Sequence, residues 1–407
     1  MRRIKAFFLL AGILLIAGCD GLDKPFEGTY DQVFIYYGLG YNNLSNNLKT
    51  NLEELQTDVL PGLSYDKAIV AFCHNTLNGS YTQENPPCLI RIFRGNDGKP
   101  VMDTLHVYTD ITRSATKETL HTVLEDIHQR FPARRYGLLV SSHGSGWIPA
   151  NYTTSSERST IRTVIRKPAV PFPETKAIGN QYVGSSSRAE WIELTDFASA
   201  IPMKMEFIIL DTCLSGCVEV AYELKDVCNY LVLSPTEILT SGMRYAHLST
   251  QLFRGETPDL LQFCKDYYEY YSEQTGNSRA GTITLVDCSK VDALAEAFAA
   301  VVEARRSELD INLAHVVQRY YYSSSELRFY YDLKDLVDKL YPPAAEAARF
   351  EAALADCVIY HGETPSFFDL LLQHCCGLSV YIPDPLRTRL NAHYKTLAWN
   401  KRVQLVL

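Results

Sequence analysis

The chain has 407 residues, of which 46% are hydrophobic and 21% charged, with a formal net charge of −8. The acidic balance excludes nucleic acid as the main partner, and the ordinary apolar and charged fractions mark a globular chain. The length allows one large domain or two smaller ones.

The N-terminus carries Arg2, Arg3 and Lys5, then runs apolar from Ala6 to Ala17, too short to serve comfortably as a permanent span. It ends Ile16-Ala17-Gly18-Cys19, which resembles the lipobox of bacterial lipoproteins. The resemblance implies cleavage before Cys19 and a lipid on that cysteine; a plain signal peptide and an anchor helix are the alternatives. Loss of residues 1–18 removes those three positive charges and takes the formal net charge from −8 to −11. Residues 19–30 then form a lipidated tether. No other apolar run long enough to cross a bilayer follows, so the body is expected to be soluble. A lipid anchor places it in a bacterial cell envelope, with neither membrane nor face specified.

Ahead lie alternating strands and helices. Residues 31–37 read as a first strand, 43–58 as a helix and 67–73 as a buried strand. A hairpin spans 89–93 and 104–108 around Gly95-Asn-Asp-Gly98. A helix over 115–131 carries Leu120, Val123, Leu124, Ile127 and Phe131 on one stripe. The strand from Tyr136 ends in His143-Gly144. Residues 149–190 are polar, interrupted by Pro149, Pro168, Pro171 and Pro173, and read as a long surface excursion. A short helix at 194–201 leads to a strand at 206–210, a helix at 214–224 and a strand at 230–234. Beyond about residue 244 the pattern is mainly helical, over 245–254, 258–274, 290–307 and 344–356, with strands at 281–286 and 378–382. The alternation implies a mostly parallel sheet covered on both faces. Residues from about 290 onward either complete that sheet or form a subdomain.

Ten cysteines follow Cys19 with irregular spacing, which is no disulfide scaffold, although one or two bridges are open to an exported protein. No CxxC pair or HExxH supports a zinc site, and no cofactor or metal is expected. In an open α/β sheet ligands sit beyond the carboxyl ends of the strands. Two strands end there in reactive residues, His143-Gly144 and Asp211-Thr212-Cys213. As neighbours they would bring an imidazole to a thiol that otherwise is only a few per cent ionised at neutral pH. A helix starting just after the cysteine would also favour the thiolate. The backbone N–H groups of Gly144 and Cys213 are candidates for an oxyanion hole. Strand alternation puts Asp211 on the same side as Cys213. There it either receives a cationic substrate side chain or accepts backbone hydrogen bonds and shapes the turn.

The stretches Leu138-Leu-Val-Ser-Ser-His-Gly-Ser-Gly-Trp147, Phe207-Ile-Ile-Leu-Asp-Thr-Cys213, Glu219-Val-Ala-Tyr-Glu-Leu224 and Leu378-Ser-Val-Tyr-Ile-Pro383 resemble the clostripain-like cysteine peptidases of the caspase-like clan. The resemblance runs in patches from about residue 31 to the C-terminus, so residues 31–407 are expected to form the peptidase domain. It implies a caspase-like α/β/α sandwich with a largely helical C-terminal part. His143 would be the general acid/base and Cys213 the nucleophile of an acyl-enzyme mechanism, with no third triad member. Asp211 matches the acid at the floor of a pocket for a basic side chain, which implies cleavage of protein or peptide substrates after Arg or Lys. The family often carries an acid-rich segment after the next strand, and here that stretch, 234–242, holds Glu237 alone. Glu237 is thus the candidate second pocket acid. Family members often cut themselves between the histidine and the cysteine. Segment 149–190 carries Arg158, Arg162, Arg166, Lys167, Lys176 and Arg188, read as exposed; the bonds after Arg158, Arg162 and Arg166 are candidate processing sites. Some relatives depend on calcium, but no Asp-x-Asp-x-Asp-Gly loop marks a site here. The competing class is a latent or inactive surface binding lipoprotein that keeps the peptidase fold.

Overall fold

The computed structural model describes residues 24–76, 85–150, 152, 157, 172–174, 176, 181–183, 186–190, 192–323, 325 and 327–407. The leader, Cys19 and the candidate cut sites Arg158, Arg162 and Arg166 lie outside the described residues.

In chain order the first half gives β1 (Tyr30–Gly40), α1 (Ser45–Leu55), β2 (Lys67–Asn75), β3 (Cys88–Arg94), β4 (Pro100–Val107), α2 (Lys117–Arg130) and β5 (Ala133–Ser141). A small hairpin of β6 (Gln181–Val183) and β7 (Ser186–Glu190) follows, then α3 (Leu194–Ala200), β8 (Met205–Asp211), α4 (Val218–Leu224) and β9 (Cys228–Leu233). The last part holds α5 (Leu248–Phe253), α6 (Leu260–Glu273), β10 (Thr282–Asp287), α7 (Val291–Ala304), β11 (Tyr331–Asp332), α8 (Leu333–Leu340) and α9 (Ala344–Cys357). It ends with β12 (Val358–Glu363), β13 (Ser366–Phe367), β14 (Leu370–Leu371), β15 (Ser379–Val380), α10 (Thr388–Tyr394) and α11 (Ala398–Val403).

A sheet of nine strands runs β12-β10-β9-β8-β5-β1-β2-β3-β4. Its centre, β9 to β2, is parallel throughout, and antiparallel strands extend it on both sides. The central strands are apolar on both faces because both are covered. Val33 to Tyr36, Phe207 to Ile209 and Leu231 to Leu233 are fully buried. One face carries α2, α3, α4, α7 and α11 packed in series, and the other α1, α5 and α6. Helix α2 shows why such elements form where they do. Thr116 caps it by accepting from Thr119 N–H at 3.1 Å, and Leu120, Val123, Leu124 and Ile127 turn one buried stripe to the sheet. The architecture is a caspase-like α/β/α sandwich.

Chain order reverses between β1 and β5, the place where such a sheet opens a crevice. A cavity lies there, lined by Leu39, Asn42, His143, Gly144, Leu210 and Thr212 among others. The C-terminal residues share the same core, which runs without a break from Tyr30 to Leu405, and β12 is the sheet's edge. All ten cysteines after Cys19 are free thiols. Among the described residues no helix is long and apolar enough to cross a membrane.

One expectation changes at the site itself. The helix expected from residue 214 begins only at Val218. Leu214 instead takes φ +58° and gives its N–H to Thr236 O at 3.0 Å, while Gly216 N–H goes to Ser234 O at 2.8 Å. Leu214 and Gly216 thus spend their N–H groups on the segment after β9. A left-handed leucine is costly, and it turns the chain sharply just past the cysteine.

Candidate active site

Strands β5 and β8 are adjacent and parallel, with Ser141 level with Asp211. Two residues further along each, His143 and Cys213 leave the sheet at the same height, on strands about 4.8 Å apart. The two ends touch closely. A Cβ on Gly144 would stand 2.6 Å from Thr212 Cβ and 3.1 Å from Cys213 O, so only glycine fits there.

The thiol of Cys213 is fully buried. Its sulfur accepts from Ile238 N–H at 3.0 Å and donates to Ile238 O at 3.5 Å. Burial pushes its pKa well above the usual thiol value and the Glu237 charge adds to this, against smaller opposing effects of the Ile238 hydrogen bond and the Lys176 ammonium. Cys213 is therefore a protonated thiol here. With α4 starting five residues later, no helix N-terminus offsets that burial. His143 is half-buried, and its Nε2 lies 2.6 Å from Asn43 Oδ1. An amide oxygen only accepts, so Nε2 carries the hydrogen and Nδ1 is the basic nitrogen.

Asp211 is fully buried at the end of β8. Its Oδ2 accepts from Ser141 Oγ at 2.8 Å, from the Tyr245 hydroxyl and from Lys176 Nζ. Lys176 Nζ also donates to Ser141 Oγ at 3.0 Å. Lys176, read from the sequence as exposed, is instead fully buried: segment 149–190 sends this side chain inward, because a buried carboxylate needs a cation. Gly242, at φ +67°, closes the pocket wall; a Cβ there would come within 2.7 Å of both Asp211 Oδ2 and Lys176 Nζ.

The backbone around Lys176 is bound as well. Gly144 N–H donates to Lys176 O at 3.0 Å, Lys176 N–H to Ile238 O at 2.8 Å, and Thr240 N–H to Glu174 O at 3.0 Å. Glu174 and Lys176 are therefore bonded to Thr240 and Ile238 in the antiparallel pattern by which peptides add to an exposed edge. Glu237, the candidate second pocket acid, accepts from the hydroxyls of Tyr322 at 3.1 Å and Ser325 at 3.4 Å, and so anchors those two residues. Asn43 and Lys176 were not singled out in the sequence as site residues; each is one residue in a loop whose role appears only when the loop meets β5 or β8.

Elsewhere, His361, Glu363 and Cys375 bring three metal-ligating atoms within 4.8 Å of one another. They sit on and after β12, three strands from β8. Nitrogen and sulfur donors do not suit calcium.

A parallel α/β/α sandwich whose central strands end in His143-Gly144 and Asp211-Thr212-Cys213 defines a cysteine peptidase of caspase-like fold. A sequence model of the Clostripain family matches residues 166–365. It is similar to an inactive zymogen C11 protease from Parabacteroides distasonis, at 25% identity and a TM-score of 0.75, over 93% of this chain and 99% of that one. It is also similar to iotapain, a secreted C11 cysteine protease from Bacteroides thetaiotaomicron, at 26% identity and a TM-score of 0.74, over 93% and 100% of the two chains. A secreted C11 protease of the same species in complex with an irreversible peptide inhibitor shares the fold, with 20% identity and a TM-score of 0.72 over 93% and 100%. No curated protein matches the chain. The protein is a cysteine endopeptidase.

Proposed function

We propose that the chain is a membrane-tethered cysteine endopeptidase, held by a lipid on Cys19 in a bacterial envelope, that cleaves after Lys or Arg and adopts in this structure the form of its own latent precursor. The observation that carries this reading is Lys176, seated on Asp211 with its carbonyl on Gly144 N–H. A substrate would be held this way, and the bond Lys176–Ala177 is then the one to be cut first. The candidate bonds after Arg158, Arg162 and Arg166 would be secondary.

In the reaction, His143 Nδ1 takes the Cys213 proton and the sulfur attacks the Lys176 carbonyl carbon. The oxyanion gathers on the N–H groups of Gly144 and Cys213. His143 then returns the proton to the departing amine of Ala177, leaving a thioester on Cys213. Water, deprotonated by His143, hydrolyses it and restores the thiol. Turnover requires the sulfur to leave Ile238, which fits a latent state. Asn43 is the residue that orients the base. No metal or cofactor enters any step. A binding lipoprotein is the second reading, favoured by the filled pocket and the protonated thiol.

The test compares the purified chain with Cys213→Ala and Lys176→Ala. Intact-mass measurement is expected to show spontaneous scission at Lys176–Ala177 in the wild type and in neither variant. Scission is expected to be followed by hydrolysis of fluorogenic peptides ending in Lys or Arg. A wild type that stays whole and inactive, and remains inactive after the segment is nicked with trypsin, would favour the binding protein. Fatty-acid labelling lost on Cys19→Ala tests the anchor.

A further inference from the structure

Four residues before Lys176, the segment places Phe172 in an aromatic box. Its ring stacks on Phe368 at 4.5 Å between centroids with the planes 13° apart, and meets Tyr322 edge-on at 5.4 Å and 88°. The other rings of the box also pack on one another. Phe367 packs on Phe368 at 4.5 Å, and Tyr322 meets Phe368 edge-on at 5.0 Å. Phe367 is fully buried, and Phe368 is held at φ +56° in the turn between β13 and β14. A bulky aromatic in the left-handed region carries strain that the surroundings must impose. Two hydrogen bonds tie down the neighbouring parts of the box: Ser323 N–H donates to Asp369 Oδ1 at 3.1 Å, beside Phe368, and the Tyr322 hydroxyl donates to Glu237 at 3.1 Å. Glu237 adjoins Ile238, the residue that holds both the Lys176 backbone and the Cys213 sulfur.

We propose that Tyr322, Phe367 and Phe368 form a substrate subsite for an aromatic side chain in the fifth position, counting back from the cleaved bond with its Lys or Arg as the first. The proposal rests on the reading of Lys176 as the residue before that bond. A segment from Phe172 to Lys176 spans about 13 Å when extended, and the strand pairing with Thr240 and Ile238 holds it between two anchors, one charged and one aromatic. All parts of the box lie on the same side of the Lys176–Ala177 bond as Cys213, Asp211 and the 238–240 edge. They stay with the catalytic cysteine when the segment is cut, and a departing Phe172 uncovers them next to the groove. The substrates selected are extended peptides with Phe, Tyr or Trp four residues ahead of the basic residue. The chain's own Phe-Pro-Glu-Thr-Lys is the template.

Self-processed wild type is assayed on Phe-Pro-Glu-Thr-Lys and Ala-Pro-Glu-Thr-Lys, each joined to the same fluorogenic amine. The phenylalanine peptide is expected to have a kcat/KM about tenfold higher, mostly through KM, as two aromatic contacts allow. In Phe368→Asn, a residue that suits a left-handed backbone, that ratio is expected to fall to about one. Binding is read separately on the triple variant Phe172→Ala, Lys176→Ala, Cys213→Ala, whose own segment lacks both anchors, by fluorescence anisotropy of the two labelled peptides. Preference for phenylalanine in binding without hydrolysis of either peptide sinks the cleavage reading and keeps the subsite. Equal hydrolysis and equal binding of both peptides overturn the subsite and keep the cleavage reading. Neither hydrolysis nor binding overturns both.

Discussion

Asn43 holds His143 through a single hydrogen bond of 2.6 Å, so its effect on the reaction is indirect and can be separated from folding. Asn43→Ala is expected to lower kcat about tenfold with KM little changed, the usual order for loss of an orienting contact. Asn43→Asp adds a carboxylate beside the imidazole and is expected to move the acidic limb of the pH–rate profile upward by about one unit; a merely structural role would leave that limb in place. Gly242 offers a second test at this scale. With φ +67° and an added Cβ only 2.7 Å from the ion pair, Gly242→Ala is expected to lower kcat/KM for Lys peptides at least about a hundredfold by blocking the pocket. An unimpaired Gly242→Ala enzyme would place the basic side chain elsewhere.

Helix α4 shows how an element links the site to the C-terminal part. Its Glu219 is fully buried and accepts from the Tyr394 hydroxyl at 2.6 Å and from Tyr381 N–H at 3.1 Å. Burial, against these hydrogen bonds, raises its pKa from 4.5 to about 7. The folded value exceeds the unfolded one, so the native chain keeps a proton that the unfolded chain releases. The contribution is fully present below pH 4.5 and is lost as the pH rises to about 7. Denaturant unfolding is expected to show stability falling over that window by roughly 3 kcal/mol, and Glu219→Gln to flatten the fall. Elements of this kind differ in how plainly the sequence announces them. Strands β1, β2, β5, β8 and β9 stand out as apolar runs because both faces are covered, and their reactive ends could be read with them. Strand β12 was missed because it is a half-exposed edge that follows α9 without a break. The early start expected for α4 failed because Leu214 and Gly216 give their N–H groups to the segment after β9, a partner eighteen or more residues distant. Lys176 escaped for a related reason. A strand-like piece interrupted by prolines has no period of its own, and its partner edge, 238–240, lies over sixty residues away.

At the scale of the molecule, the Lys176–Ala177 bond divides the fold unequally but not its core. Strands β1 to β5 lie before it and β8, β9, β10 and β12 after it, and they form one sheet joined by the β5–β8 pairing. The scissioned protein is therefore expected to elute as one particle in size-exclusion chromatography and to separate only in denaturant. His143 and Gly144 fall on one piece, Asp211 and Cys213 on the other. Before the cut, unfolding is a unimolecular event and the linker returns the histidine strand to the cysteine strand at high effective concentration. After it, reassembly depends on two separate polypeptides meeting, so recovery becomes dilution-dependent. The working enzyme then persists on the height of its unfolding barrier instead of on an equilibrium it can revisit. On the proposed reading, the lifetime of the cut protein becomes a clock started by its own first turnover.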